Sequence, residues 1–399
     1  MNSSKTGFII AAAFIGPGTV TTASLAGAQL GYGLFWALLF SVFATFIVQE
    51  MSSRLGLVTG LGLSENLMKT FDNRTSKFCL GALVVIALGI GNAAYEGGNI
   101  AGAALGLANV AEIKQTTWVS ILGIIALGLV WSNSYKLIES VLVSLVAVMS
   151  TVFIVVMLIA GFDFSLFMDG LVGKGLFSNN TLLLAILGTT IVPYNLFLHA
   201  GLSAQHAQEK MRQSEAFTNT DLKSHQKQLF TSIGIGGLVT FAIMSCAANA
   251  YFLSQTALSP SNIANQLQPL LGEFANSFFA LGLFSAGITS ALTAPLATAY
   301  ALCGVFGFKP DIKAMPFKII CTTIIAIGVL VALSGYKPFT IIVIAQASNA
   351  LLLPISLILL LYLVNQSSLM QHAKNTVISN ALSTVIILVV VGLGISKLI

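Results

Sequence analysis

A chain of 399 residues that is 56% hydrophobic and only 8% charged, with a mean hydropathy of +0.92, lacks the charge of a soluble protein, in which about 25% of residues are charged. The composition excludes a water-soluble globular domain and implies a lipid bilayer as solvent. The net charge of +5 does not point to nucleic acid, because the basic residues lie scattered between apolar runs.

A membrane span needs about 20 mostly apolar residues. Reading for such runs predicts eleven spans, at 7–30, 33–54, 78–107, 117–135, 138–161, 181–203, 229–253, 276–305, 317–334, 339–363 and 376–397. The first is read as a span and not as a signal peptide, since no small-residue cleavage site leads into a soluble domain. The third is long enough to tilt or protrude. The polar stretch 206–227 is expected to be a cytoplasmic connector, with 163–180 as its external counterpart. With the N-terminus placed in the cytoplasm, only Lys114, Lys174, Lys337 and Lys397 of the 18 Lys and Arg fall outside. That bias is the one expected of an inserted chain. It predicts an integral protein of a prokaryotic inner or plasma membrane, with its C-terminus outside. Cys79, Cys246, Cys303 and Cys321 all lie in apolar stretches and read as small buried hydrophobes.

Two spans carry interruptions. The first contains Gly16-Pro17-Gly18-Thr19 near its middle, and the sixth contains Thr189-Thr190-Ile191-Val192-Pro193-Tyr194-Asn195. Proline inside a helix removes a hydrogen bond and clashes with the preceding turn. In hydrocarbon the freed backbone is tolerated only where protein or a wet cavity satisfies it. Two breaks five spans apart predict one transmembrane domain over 1–399, built from inverted five-helix repeats at about 7–161 and 181–363. The last span, about 376–397, stands outside them. The breaks should then face each other at mid-membrane and form a substrate site. Pro295 and Pro354 read as ordinary kinks.

The same segments resemble the natural resistance-associated macrophage protein (Nramp) family over residues 8–365. The first break followed by Leu25-Ala26-Gly27-Ala28-Gln29-Leu30-Gly31-Tyr32, then Gln49-Glu50-Met51-Ser52-Ser53-Arg54-Leu55-Gly56, are similar to that family's first two helices. Pro193-Tyr194-Asn195-Leu196-Phe197-Leu198-His199 looks like its sixth-helix signature, Ala286-Gly287 with Ser290 and Thr293 its eighth helix, and Gln346 with Leu353-Pro354 its tenth. The resemblance implies an all-α, LeuT-like fold of about eleven transmembrane helices, and proton-coupled symport of divalent metals by alternating access. It also shows departures. The family's metal-binding Asp falls on Gly16, its Asn on Thr19, its Met on Val192 and its His on Tyr194. Its acidic proton-moving pair falls on Glu96 and Asn99.

Substrate binding is therefore expected at Gly16, Gly18, Thr19, Thr189, Thr190, Val192, Tyr194, Asn195 and Gln346, with Asn349 nearby. Thr19, Thr189 and Gln346 are the candidate metal ligands. Glu96, Asn99 and His199 are the candidates for proton coupling, since an ionisable group inside a span is costly and functional by default. The plainer alternative for Glu96 is a hydrogen bond to Asn92, Asn99 or Tyr95, and for His199 a packing role. Thr289, Ser290 and Thr293, with carbonyls near Ala13, offer a sodium site as coupling ion in place of H+. Hydroxyls bonded back to their own helix are the commoner arrangement.

Hydroxyls, amides and carbonyls suit a bare transition metal poorly, because such an ion needs charged or strongly polar ligands. Three readings stay open: transport of a larger or hydrated cation such as Mg2+, transport of a small organic solute such as an amino acid, and a non-transporting sensor or scaffold. No phosphate-binding loop, zinc motif or nucleophile elbow is present, so neither a cofactor nor enzymatic chemistry is expected.

Overall fold

A computed structural model of the chain describes residues 15–111, 113–132, 135–161, 163–172, 179–213 and 219–395. Among these residues every regular element is helical. The chain runs through α1 (Pro17–Leu30), α2 (Phe35–Thr59), α3 (Leu63–Thr70), α4 (Arg74–Ala108), α5 (Gln115–Trp131), α6 (Tyr135–Ala160) and α7 (Phe164–Leu171). It continues through α8 (Asn180–Thr190), α9 (Pro193–Arg212), α10 (Asn219–Ala247), α11 (Ala275–Phe306), α12 (Met315–Ala332), α13 (Pro338–Val364) and α14 (Val377–Ile395). α4 holds a π-helical stretch at Val85–Ile90, and α10 ends in another at Ala248–Phe252.

Helix ends follow local chemistry. Asn73 and Asn179 cap α4 and α8, accepting from the backbone N–H of Thr75 at 2.9 Å and of Leu182 at 3.1 Å. Gly60 and Gly307 end α2 and α11 in the left-handed conformation, at φ +64° and +74°, which a side chain resists.

Nine stretches among the described residues are helical, long and apolar enough to cross a membrane, with α8 and α9 counted together. α5 is apolar but has 17 residues, and α1 is the described part of the first expected span. Residues 7–14 of that span, including Ala13, lie outside the described residues, as does Lys174. The polar connector expected at 206–227, for which the sequence also allows a short surface helix, carries more helix than that, since α9 runs on to Arg212 and α10 starts at Asn219. Hydropathy marks where a helix leaves the bilayer, and the helix itself does not stop there. Both Pro295 and Pro354 lie inside continuous helices. Cys246, Cys303 and Cys321 are buried as expected; Cys79 is exposed, because it faces outward on the first turns of α4.

Packing joins the two halves crosswise. α1 lies against α10 while α9 lies against α2, and α4 crosses α11 at the centre of the bundle. α4 can sit there because its small residues admit its neighbours. Gly102 receives the ring of Pro17, Gly97 faces Val331 of α12, Gly98 faces Ala345 of α13, and Ala103 meets Gly287 of α11. Close approach through small residues is the main source of attraction between helices in lipid. Glu50 and Arg54, one turn apart at the end of α2, form an ion pair at 2.9 Å. Arg54 also donates to the Ala373 carbonyl and, at 2.7 Å, to Asn375 Oδ1 just before α14.

Candidate functional site

α1 begins in mid-bundle. Gly16, extended at φ −96° and ψ 174°, precedes Pro17 at the first helical position and offers no side-chain cap. Proline is suited there, since its missing N–H would have no helical partner. α8 ends at Thr190. Ile191 and Val192 run extended at ψ 82° and 122°, and α9 restarts at Pro193. The interruption expected in the sixth span is therefore present, and α1 starts at the Pro17 expected to mark the first, the part of that span before Ile15 lying outside the described residues.

Protein groups satisfy the freed backbone. The Ile191 N–H donates to the Leu187 carbonyl at 2.8 Å and the Asn195 N–H to that of Val192 at 3.1 Å. Thr45 of α2 shares its hydroxyl proton between Ser41 O at 2.7 Å and Thr190 O at 3.2 Å. Ser52, two turns on, donates to the Leu196 carbonyl in the first turn of α9. Sequence reading overlooked these two hydroxyls; the signal was a run of polar residues on the face of α2 that meets α9.

The two breaks touch. Thr19 Oγ1 and Thr189 Oγ1 are 2.9 Å apart and buried. Gln346 of α13 is wedged between them. Its amide lies so close to Gly18 that a methyl group there would collide with Nε2, and its backbone carbonyl packs on Gly188 in the same way. Gln346 is 0% exposed. The phenol of Tyr95, on α4, lies beside both Gln346 and Tyr194, with the two tyrosine rings edge to face at 5.4 Å. Asn195 is buried with Oδ1 unpartnered, as is Asn349 at Nδ2.

The remaining candidates divide. Thr190 turns its hydroxyl onto Ile186 O of its own helix at 2.8 Å. Val192 is buried and apolar. A side chain at Gly16 would point at Ser290 Oγ, with its Cβ 2.7 Å away. Glu96 packs its stem on Gly328 of α12, on a different face of α4 from Tyr95. It is 0% exposed, accepts from Asn99 Nδ2 at 3.3 Å through Oε2, and leaves Oε1 unpartnered. Among the described residues no cation pairs with it. Asn92 instead donates to Thr298 Oγ1 of α11 at 2.7 Å. His199 is buried one turn past Asn195 on α9. Thr289 and Thr293 donate back to Ser285 O and Thr289 O at 2.7 and 2.8 Å, which leaves their oxygen lone pairs free to accept.

The cradle around the breaks thus consists of neutral donors and acceptors. Among the described residues no group of three or more His, Cys, Asp or Glu could hold a metal ion. A separate cavity of about 440 Å3 opens at the far end of α9, reaching from Glu65 and Asp311 inward to Phe197, one turn past Pro193.

A family model described as natural resistance-associated macrophage protein-like matches residues 7–399. The divalent metal cation transporter MntH of Aeromonas hydrophila subsp. hydrophila is 27% identical over 393 residues, which span 97% of this chain and 93% of that protein. The crystal structure of the Eremococcus coleocola manganese transporter, in complex with an aromatic bis-isothiourea substituted compound, matches with a TM-score of 0.74 at 19% identity. It covers 98% of this chain and 85% of that one. MhsT in complex with L-phenylalanine matches at a TM-score of 0.61 and 15% identity, over 97% and 98% of the two chains. At these identities the structural likenesses bear on the fold alone, which is the LeuT-like arrangement of five plus five helices with the first and sixth broken.

Proposed function

The chain belongs to the Nramp family, and on that premise we propose that it is a secondary active transporter carrying a divalent cation by alternating access around the meeting point of α1, α8 and α9. The observation that carries this reading is the 2.9 Å contact of Thr19 with Thr189, which joins two interrupted helices deep in the bundle. Half-helix ends and unwound backbone at that depth are where transporters of this architecture hold their solutes.

The chemistry of the cradle selects among cations. Thr19, Thr189, Asn195 and Gln346 supply oxygen ligands without charge, soft sulfur or imidazole. A hard cation that keeps part of its water, such as Mg2+, is held by such a set better than a bare transition metal. A second reading, a small organic solute, draws on the same absence of charge. Glu96, with Asn99 beside it, supplies a proton carrier outside the cradle, and His199 a further relay on α9. The basic residues support an N-terminus in the cytoplasm.

Uptake into proteoliposomes of Mg2+, Mn2+ and a panel of amino acids, with and without a pH gradient, tests the proposal. Saturable Mg2+ uptake exceeding that of Mn2+ is expected, lowered on the order of tenfold by Thr19→Val or Thr189→Val, the loss of one ligand oxygen. Uptake of amino acids with no response to any metal selects the second reading. No flux of any solute overturns both.

A further inference from the structure

We propose that three of the chain's four histidines, His199, His206 and His225, form the cytoplasmic half of a proton route. The Ser53–Ser203 hydroxyl pair is its relay, and the His206–His225 pair is the port where protons leave for water. The inference rests on the transport reading and names the path by which a coupling proton reaches the cytoplasm.

One face of α9 carries this path. Asn195, His199, Ser203 and His206 follow one another in steps of three or four residues, the spacing that stacks side chains on one side of a helix. The opposite side of α9 lines the cavity, through Phe197, Gly201 and Gln208. The polar column turns instead to α2. Ser203 Oγ and Ser53 Oγ lie 2.8 Å apart, and a methyl group at Gly56 would strike the Ala200 carbonyl, so the two helices touch here. Gln49, one turn before Ser53, is buried with Oε1 unpartnered, as is Oδ1 of Asn195 at the inner end of the column. Asn195, His199 and Ser203 are buried, whereas His206 and His225 are half-buried and so within reach of water. His225 comes from α10, its ring 5.7 Å from that of His206 and within electrostatic reach of His199.

Each member can both take up a proton and give one away. A neutral imidazole accepts at one ring nitrogen and releases the proton on the other. A hydroxyl passes a proton on in the same way, and either oxygen of the Ser53–Ser203 pair can be the donor. A proton loaded on His199 is handed through that pair to His206 or His225, and from there to cytoplasmic water. Two helices packed in lipid need only one hydroxyl pair to hold them; imidazoles in line with that pair belong to a proton relay. Glu96 stands in series with the column, since its chain neighbour Tyr95 meets Tyr194, the neighbour of Asn195. Charges of both signs surround the port. Glu209 and Lys210 follow His206 on α9, Lys223 and Lys227 flank His225 on α10, and Glu50, paired with Arg54 on α2, accepts from Gln226 beside His225 at 2.9 Å. The acidic groups favour an imidazolium and the basic ones favour its release, so neither state of the pair is locked.

The test uses the purified full chain in proteoliposomes loaded with a pH-sensitive dye. Mg2+, Mn2+ or L-alanine is supplied as the solute, and its uptake is read together with acidification of the lumen, under an inward proton gradient and at equal pH. The unaltered chain is expected to take up solute faster under the gradient and to acidify the lumen as it does so. His206→Gln combined with His225→Gln is expected to lose both effects and to keep solute exchange at equal pH. Ser53→Ala combined with Ser203→Ala does the same, which gives a second reading should the histidine variant fold poorly. Ser53→Thr by itself keeps the hydroxyl and retains both effects. Full acceleration in either double variant overturns the proposal, as does an equal loss of exchange and acceleration in both, the mark of a purely structural role. Solute flux that no gradient accelerates in the unaltered chain overturns the port and leaves the transport reading standing. No flux of any solute overturns the transport reading and the port with it.

Discussion

Thr189 and Thr190 show how much a single position decides. One residue along an α-helix turns the side chain by about 100°, so Thr189 meets Thr19 of the other break while Thr190 bonds back to Ile186. The sequence presents the two as equals. It identifies Glu96 as the deep carboxylate but not the direction it faces, because the π-helical stretch at Val85–Ile90 offsets the helical register ahead of it. That direction, onto Gly328 of α12, has a consequence for coupling. Glu96→Gln is expected to abolish the acceleration of uptake by an inward proton gradient and to spare solute exchange at equal pH. Proteoliposome flux with and without the gradient checks this. Full gradient-driven uptake by the variant would remove Glu96 from the proton route.

Among the elements, the interruptions were the most legible feature, since proline cannot donate to the preceding turn and the flanking Gly and Thr residues mark the spot. The ends of α9 and α10 were not legible, because residues such as Gln205, Gln208 and Lys210 favour helix as readily in water as at a membrane surface. Nor could the sequence show that the end of α2 holds the approach to α14. Arg54 does so, pairing with Glu50 and donating to Ala373 and Asn375. Asn375 in turn meets Asn380, which exchanges hydrogen bonds with Asn365 at the end of α13. Arg54→Ala leaves the Glu50 carboxylate without its cation in a largely buried place, at a cost of about 3 kcal/mol. A clearly lowered unfolding temperature of the purified protein is the expected result. An unchanged one would show that this junction contributes nothing to stability.

For the molecule as a whole, the order of the spans could be read directly, while the pairing of α1 with α10 and of α9 with α2 could not. Hydropathy marks which segments enter the bilayer, and helix-to-helix contact depends on small residues such as Gly102 and Gly287 that look alike in sequence. The asymmetry of the basic residues bears on orientation. Cysteines placed at Lys313 and Lys337, in a background where exposed Cys79 is changed to Ser, should differ in labelling by a membrane-impermeant thiol reagent on intact cells. Lys337→Cys is expected to react and Lys313→Cys to stay protected until the membrane is opened. The reverse pattern would invert the assigned topology.

Thr45 gives the interrupted sixth span hydration of a permanent kind. The Thr190 carbonyl, left over where α8 ends, drinks from a hydroxyl anchored on a neighbouring helix, so that side of the gap between α8 and α9 does not depend on a wet lumen to persist. A discontinuity that tolerates drought lets the chamber wring out its solvent around a cargo without the backbone zipping shut into one continuous rod.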